Sequence, residues 1–461
     1  MESPYSAVAY TGHPFAQTHP RRLAAVAALF GLRAASVDTC RVLELGCGDG
    51  GNLIPMAESL PHASFMGIDL AESAIQAGNQ IVSDLGLRNV SLRAADLINI
   101  DASCGEFDYI VTHGLYSWCP AEVRDRILQI SCDYLSPDGV AFVSYNALPG
   151  SRIRQMLRET MLFQAADFDD PQEKIDQAMA MLGFVASARA GSQTYRQLIA
   201  EEIDRIRSRE PFALFHDELA PIYEPVYFQQ FIDHAARHGL QFLGEAEFLD
   251  LGEARLSVEA VATLNEIAGD DRTLREQYID YACGREFRQT LLIHEGRAID
   301  FPPRPESLSG LYASTSGLPI ADDEFETPRG ARLRTSHPAA RKMMLALVAA
   351  APQALAIADR DFDLPSLLAA TLGGIVELHA SPFPLTANVS ARPQTSPLLR
   401  YQLSKDLPLT TRTHASLILD DPIDRELLAL FDGTRALRDL TAIPDAPARA
   451  HRLAKRGVFV A

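Results

Sequence analysis

The chain has 461 residues, 47% of them hydrophobic and 22% charged, and its formal net charge is −18 at pH 7. This length is too great for one hydrophobic core and predicts about three domains. The acidic balance argues against nucleic acid as a partner, because a phosphate-binding surface needs a basic footprint.

Cysteine spacing and hydropathy set the expected compartment. None of the six cysteines forms a C-x-x-C pair, so neither a metal site nor a disulfide framework is indicated. The longest apolar run, residues 343–358, contains Pro352 and is shorter than the roughly 20 residues that span a bilayer. The N-terminus lacks the pattern of a secretory signal. We therefore expect a cytoplasmic protein without membrane insertion.

The first 20 residues are rich in proline, histidine and aromatic residues and almost free of charge. This composition is unlike that of a disordered tail. It favours an ordered lid over a ligand, with Tyr10, Gln17 and His19 facing inward, although a disordered leader is the alternative. An amphipathic helix at about residues 21–32 is expected to pack on the edge of a sheet.

A glycine-rich stretch organises the rest of the chain. Residues 42–45 have strand-forming character and run into a loop with glycines at 46, 48, 50 and 51, and a helix-compatible segment follows from Asn52. Glycines allow positive φ and a close approach of a ligand to the backbone. The register is E-x-G-x-G-x-G, with Glu44 on the strand and Asp49 in the loop. Two acidic groups repel a pyrophosphate but suit a cationic ligand with an ammonium and a sulfonium. The stretch resembles motif I of the class I S-adenosylmethionine (SAM) dependent methyltransferases.

Acidic residues also follow the next two predicted strands. Asp69 ends the strand at residues 64–69, about 20 residues past the loop, where doubly wound folds place the acid that binds ribose hydroxyls. Asp96 and Leu97 follow the strand at residues 90–94 and are predicted to contact adenine. Each Asp alone is compatible with a turn or an N-cap. Their joint position at successive strand ends favours a ligand crevice.

The fourth strand, residues 107–113, ends in a loop that carries His113, Tyr116 and Trp118. Tyr116 and Trp118 are predicted to form an aromatic wall around a substrate amine. The alternative for Trp118, which is the only tryptophan, is a core position below the loop. His113 is either a proton acceptor or a cap of the loop. Tyr145 follows at the end of the fifth strand, residues 140–145, and is expected to line the acceptor channel.

The remaining chain reads as a cap, two more strands and a C-terminal unit. Residues 151–215 are helical by periodicity and predict a cap over the crevice. Residues 240–249 and 287–294 are predicted to add a sixth and an antiparallel seventh strand, and a separate α/β module is the alternative. Asp217 and Glu218 either steer a cationic substrate or form an exposed acidic turn. Residues 297–335 are predicted to form a linker or a long exposed connection. Helices at 338–351 and 364–372 and a strand at 375–379 suggest a winged-helix-like module, followed by a capped helix at 421–431 and a last strand at 453–460. Acidity favours partner binding or self-association over DNA binding for this module.

The chain resembles the bacterial class I methyltransferases that carry a methyltransferase regulatory domain, a group that includes protein-lysine methyltransferases acting on outer-membrane proteins. The resemblance rests on motifs at residues 14–20, 44–50, 113–118, 145–150, 215–219, 224–228, 234–240 and 285–292. It implies an α/β fold with a Rossmann-like methyltransferase sheet, a helical cap insertion and a C-terminal winged-helix-like α+β domain. The implied domains are a SAM-binding core (1–150), a cap and regulatory domain (151–296, with 222–296 completing the sheet in one reading), a linker (297–335) and the winged-helix-like domain (336–461).

The resemblance further implies SAM as methyl donor, S-adenosylhomocysteine as product, no metal, and a protein lysine as the leading acceptor. Alternatives are a small-molecule N- or O-methyltransferase and a SAM-binding regulator without chemistry; a homodimer is a further expectation. Expected catalytic residues are His113, Tyr116, Trp118 and Tyr145. Expected cofactor-binding residues are Tyr10, Gln17, His19, Glu44, Gly46, Cys47, Gly48, Asn52, Asp69, Leu70, Asp96, Leu97 and His113.

Overall fold

Seven strands form one central sheet in the order β3-β2-β1-β4-β5-β7-β6. The computed structural model describes residues 12–101, 104–188, 191–209 and 213–461. Strands β1 to β5 are parallel, and β7 runs antiparallel to both β5 and β6. The strands are β1 Arg41–Leu45, β2 Ser64–Asp69, β3 Val90–Ala94, β4 Phe107–Thr112, β5 Leu135–Asn146, β6 Leu240–Glu245 and β7 Phe287–His294. The predicted sixth and seventh strands therefore complete the sheet, and the alternative of a separate α/β module is wrong.

Both faces of the sheet are covered, which explains why the strands are continuously apolar. Val42 in β1 points into one hydrophobic core and its neighbour Leu43 into the other, and Tyr109 and Ile110 in β4 divide in the same way. This alternation follows from the period of two residues in a strand. One local prediction differs: the composition of residues 136–139 suggests a turn, but they form an irregularity within β5, where the pairing with β4 shifts register.

Some helices pack on this sheet, and the others contribute to three smaller hydrophobic clusters. They are α1 Pro20–Leu29, α2 Leu53–Ser59, α3 Glu72–Leu85, α4 Ala121–Asp133, α5 Arg152–Ala165, α6 Pro171–Ser187, α7 Gln193–Arg207, α8 Phe228–Arg237, α9 Val258–Ala268, α10 Arg272–Cys283, α11 Pro338–Ala350, α12 Leu364–Leu372, α13 Pro397–Lys405, α14 Pro422–Leu430 and α15 Ala446–Ala454. Within the ranges described, no helix has both the length and the apolar character needed to cross a membrane.

Helix α1 is buried on nearly all sides, which differs from the predicted amphipathic helix at the sheet edge. Its Arg21 and Arg22 are themselves buried. Arg22 Nη2 forms an ion pair with Glu377 Oε2 at 2.8 Å, and the carbonyl oxygen of Arg21 accepts from Ala380 N at 3.0 Å. The C-terminal part of the chain therefore covers the polar side of α1, which no local pattern in α1 reveals.

Residues 297–335 are folded, whereas their composition suggested a linker or a long exposed connection, and a linking role between two domains stays a prediction. They contain four short strands, β8 Tyr312–Ser314, β9 Leu318–Ala321, β10 Glu324–Glu326 and β11 Arg332–Arg334. Leu308, Ala313 and Phe325 are buried in the same core as β1 and α11. Isolated apolar residues between prolines and glycines contribute to the core here because neighbouring segments supply the rest of it.

The C-terminal region confirms most of its predicted elements. The first two helices are α11 and α12, the strand at 375–379 is β13 Glu377–His379, and Asp421 caps α14 by accepting from Ile423 N at 2.9 Å. The predicted last strand is wrong, because α15 extends to Ala454 and only isolated bridges follow. Strands β12 Leu355–Ala356, β14 Leu409–Thr410 and β15 Ser416–Leu417 complete the sheets. The winged-helix assignment and the domain boundaries remain predictions.

Candidate functional site

The glycine loop after β1 forms an open cradle. Gly46 and Gly48 have φ values of +77° and +55°. A β-carbon on Gly48 would meet no atom within 4 Å among the described residues, so the space above this residue is free. Gly48 N donates to Asp69 Oδ2 at 2.8 Å. The loop between β1 and α2 therefore places backbone atoms and the carboxylate of Asp69 at the same crevice. The side chain of Cys47 is buried beneath this loop.

The acids at the next two strand ends are fixed by backbone donors. Asp69 Oδ1 accepts from Ala71 N at 2.8 Å, and the carbonyl oxygen of Asp69 accepts from Ala95 N at 2.9 Å. Asp96 accepts from Ile98 N at 3.0 Å and caps a short turn. The two predicted ligand acids thus lie at adjacent strand ends. Leu97 is buried at this edge, whereas Leu70 is exposed.

Glu44 is a buried carboxyl group beneath the loop with one unused oxygen. Its Oε1 accepts from Asn52 Nδ2 at 2.8 Å, while its Oε2 has no hydrogen-bond partner in the part of the chain that the structure describes. Burial raises the pKa of Glu44 to about 8, against the hydrogen bond from Asn52, which lowers it. A cationic ligand beside this group would supply the missing charge partner.

The N-terminal segment lies directly on the glycine loop. Gly12 N and Gly51 N donate to Asp49 at 3.3 and 2.9 Å, and a β-carbon on Gly51 would overlap the backbone of Gly12. Asp49 is therefore held by backbone donors. This position agrees with an ordered lid, although Tyr10 lies outside the described residues.

The other two predicted lid residues have partners elsewhere. Gln17 Nε2 donates to Glu247 Oε1 at 2.7 Å. His19 caps α1 by accepting from Arg21 N at 3.1 Å, and its ring packs against Phe383 and His414. Direct cofactor contacts of Gln17 and His19 stay predictions.

His113 lies at the end of β4 and is tied to β5. Its Nδ1 is 2.8 Å from Ser144 Oγ, which also accepts from Gly114 N at 2.9 Å. The Phe15 ring packs edge-on against His113 at 3.9 Å between centroids. Burial lowers the pKa of His113 to about 4, so its imidazole is neutral at pH 7. The geometry supports the loop-capping role, and a neutral ring also retains the capacity to accept a proton.

The two predicted catalytic tyrosines, Tyr116 and Tyr145, are buried in one aromatic cluster. Tyr116 Oη is 2.7 Å from His234 Nδ1, and His234 Nε2 is 3.1 Å from Asp125 Oδ1. This chain of hydrogen bonds leads from a buried phenol to a carboxylate at the surface. The rings of Tyr145 and Phe231 stack at 4.1 Å.

Tyr145 is therefore part of the core, whereas an open channel was expected for it. Its hydroxyl accepts from Thr290 Oγ1 at 3.2 Å. Sequence reasoning missed His234 as the partner of Tyr116 and Asp125 as the partner of His234, because these pairs lie 118 and 109 residues apart in the chain. The one available signal was the helical spacing of His234 and His238, both of which contact Asp125.

Trp118 forms an aromatic pair that already holds cations from the protein. Its ring lies 4.8 Å from that of Tyr223, and the guanidinium carbons of Arg154 and Arg158 lie 4.6–5.3 Å from the two rings. Arg154 Nη2 pairs with Glu218 Oε1 at 2.7 Å. Trp118 therefore pairs with Tyr223, whereas Tyr116 packs against Tyr145 and Phe231. A wall of Tyr116 and Trp118 around a substrate amine stays a prediction, and the cations that face Trp118 belong to α5.

Asp217 and Glu218 are also paired with arginines of the protein itself. Asp217 Oδ2 pairs with Arg209 Nη1 at 2.9 Å, and Glu218 is buried against Arg154. They are neither free steering groups nor an exposed turn.

Comparison with known proteins identifies the chain. Residues 36–202 match a family model described as "Methyltransferase domain" and residues 210–294 one described as "Predicted methyltransferase regulatory domain". The protein RP028 of Rickettsia prowazekii (strain Madrid E) is 36% identical over 240 residues, which cover 52% of this chain and 96% of that relative. The chain belongs to this methyltransferase family.

Two further comparisons extend over more of the methyltransferase. RP789 of the same organism is 36% identical over 299 residues, 65% of this chain but only 54% of the relative's length. PKMT2 from Rickettsia typhi, solved in complex with AdoHcy, is 25% identical with a TM-score of 0.85, and the match covers 98% of this chain and 100% of that one.

The methyltransferase is therefore a SAM-dependent enzyme, as predicted, and the expectation of a regulator without chemistry is not favoured. The unpartnered oxygen of Glu44 and the free space above Gly48 fit a cationic nucleoside cofactor. Glu44, the glycine loop and Asp69 would hold it. The contribution of each individual residue stays a prediction.

Proposed function

We propose that this enzyme is a protein-lysine N-methyltransferase. The observation that carries the proposal is the match to PKMT2, a protein lysine methyltransferase, over nearly the whole of both chains. The likeness includes the cap and the C-terminal region, which lie outside the cofactor-binding part. A shared cofactor fold alone would say little about the acceptor, because acceptor sites vary freely on one fold.

Bound SAM supplies an electrophilic methyl group, and the protein's part is to position an amine behind it and to exclude water. A lysine must arrive without its proton, and burial lowers the pKa of an amine. Tyr116 follows β4 on the same loop as His113, next to the proposed transfer site. Under the proposal, the hydroxyl of Tyr116 takes part in passing the amine's proton to His234 and onward to Asp125.

The test uses the full-length enzyme with methyl-labelled SAM and an outer-membrane protein fraction from Gram-negative bacteria. We expect labelled protein, and N-methylated lysine after acid hydrolysis. The matched control is the same fraction with its lysine amines acetylated beforehand, because an amide nitrogen cannot accept a methyl group from SAM, and this should abolish the labelling.

Protein label that survives the blocking would contradict lysine as the acceptor. Label that appears only in small molecules would favour the small-molecule N- or O-methyltransferase. A cytoplasmic location, a homodimer and a partner-binding role of the C-terminal region stay predictions beside it.

A further inference from the structure

A hairpin near the C-terminus reaches the cofactor loop. Strands β14 and β15 pair antiparallel, and His414 lies in the turn between them. His414 is buried and has a φ of +59°, a left-handed conformation that favours glycine. A bulky ring held in this backbone conformation requires support from its surroundings, and such positions cluster at functional sites.

The partner of His414 is Asn52, the residue that joins the glycine loop to α2. His414 Nε2 is 2.9 Å from Asn52 Oδ1. The same Oδ1 accepts from Phe15 N at 2.9 Å, while Asn52 Nδ2 donates to Glu44 Oε1 at 2.8 Å. A backbone N–H always donates, so the amide orientation is fixed and His414 must donate from Nε2.

Asn52 is therefore the meeting point of three segments that are distant in the chain. It joins the lid through Phe15, the cofactor loop through Glu44 and the C-terminal hairpin through His414, which is 362 residues away. Glu44 carries the unpartnered oxygen that fits the cationic cofactor. The hydrogen bond of His414 thus acts on the cofactor site through one intermediate side chain.

A second contact holds the hairpin to the same helix. Arg412 Nη1 forms an ion pair with Glu58 Oε2 at 2.5 Å, and both side chains are largely buried. Glu58 lies in α2, which begins directly after Asn52. The hairpin therefore contacts α2 at its start and near its end, so a displacement of the hairpin would displace the helix that follows the loop.

We propose that His414 is a positioning residue for SAM: the C-terminal hairpin completes the cofactor site by fixing Asn52 and, through it, Glu44. The inference rests on the SAM-dependent activity and not on the identity of the acceptor. Under this proposal, the C-terminal region contributes to cofactor affinity, although it lies outside both the methyltransferase match and the regulatory match.

The test is calorimetric titration of SAM into full-length variants, without any acceptor. His414→Phe keeps a ring but loses the donor, and we expect its Kd to rise about tenfold, because a buried acceptor loses a partner. His414→Gln retains an N–H donor and should bind within about threefold of wild type. Leu264→Ala in α9 removes core volume from a hydrophobic cluster that does not include the hairpin, and it should lower Tm without changing Kd.

Three results would overturn the proposal. They are a Kd for His414→Phe within about twofold of wild type, no recovery in a folded His414→Gln variant, and a rise in Leu264→Ala equal to that in His414→Phe. Because no acceptor is present, these outcomes are independent of whether lysine is methylated.

Discussion

At the scale of single residues, the site depends on buried polar groups whose ionisation is set by their surroundings. Glu44 and His113 are both kept from their charged forms by burial. The sequence pointed to both residues, because Glu44 lies near the end of β1 and His113 comes directly after β4. Their hydrogen-bond partners and pKa values depend on distant segments and required the tertiary structure.

Glu44 predicts a pH dependence of both stability and binding. Its pKa of about 8 lies above the ordinary 4.5, so the folded protein binds more protons than the unfolded chain between these values. Its contribution therefore lowers the free energy of unfolding as the pH rises from about 4.5 to about 8. A cationic cofactor favours the carboxylate, so SAM binding at pH 7 should release a proton.

Calorimetry in two buffers of different ionisation enthalpy measures this proton release. Glu44→Gln should release none and bind SAM roughly tenfold more weakly, because it loses a charge-assisted contact. Glu122→Gln, an exposed acid in α4, serves as the control. Equal proton release in wild type and Glu44→Gln would refute the assignment.

The hydrogen-bond chain from Tyr116 predicts a difference between two histidines of one helix. His234 and His238 both contact Asp125, whose side chain is 58% exposed, but His234 alone of the two is bonded to Tyr116. We expect His234→Phe to lower kcat at pH 7 at least tenfold and His238→Phe to stay within about threefold.

Raising the pH towards about 10, near the ordinary pKa of lysine, should reduce the deficit of His234→Phe, because the amine then arrives without its proton. This recovery separates proton transfer from a loss of folding. A deficit that is the same in both variants or independent of pH would count against the role.

At the scale of elements, the helices of the predicted cap have a hydrophobic core of their own. Helices α5 to α7 enclose a cluster that includes Leu157, Leu182 and Ile203. Helical periodicity predicted these helices correctly. It could not predict that Arg154 and Arg158 of α5 would stack on Trp118 and Tyr223, because this contact brings separate segments together.

The cap core provides a test of the acceptor side of the site. Leu182→Ala, at a position with 0% exposure, should destabilise the cap by about 3 kcal/mol. Under the proposed function, the KM for the protein acceptor should rise at least fivefold while the Kd for SAM stays unchanged. Hydrogen exchange of α5 to α7 together with steady-state kinetics measures both effects.

The matched control is Leu198→Ala in α7, where the side chain is 46% exposed and the change should stay within about 0.5 kcal/mol. A loss of SAM affinity in Leu182→Ala would show that the cap acts on the cofactor instead of the acceptor.

At the scale of the whole molecule, a buried charge network joins the last two strands to the regulatory helices. Arg288 in β7 has a fully buried side chain and contacts Glu245 in β6 at 2.7 Å and Asp280 in α10 at 2.8 Å. This network lies where the chain returns to complete the sheet after the cap. All three residues lie within the matched regulatory segment, residues 210–294, so the network ties the two strands of this segment to one of its own helices.

Removing Arg288 should be costly, because it leaves the buried carboxylate of Glu245 without a cation and leaves Asp280 with Arg285 as its remaining ion-pair partner. We expect Arg288→Met to lower the free energy of unfolding by about 3–5 kcal/mol, measured by urea denaturation. Arg334→Met breaks an ion pair whose arginine is 77% exposed and should change it by less than about 0.5 kcal/mol. Similar losses in the two variants would show that the network contributes little.

The sequence by itself indicated the cofactor class and located the seven strands and most helices along the chain, because these depend on local patterns: a glycine turn after a strand, acids at strand ends and apolar periodicity. The order of the strands within the sheet came from the tertiary structure. Tertiary structure alone decided that residues 297–335 are folded, that α1 is covered on both sides and that Asn52 meets His414. These contacts join residues up to hundreds of positions apart, and nothing in either local segment encodes its partner. These contacts form because whole layers of the fold pack against one another, so they can be read only from the tertiary structure.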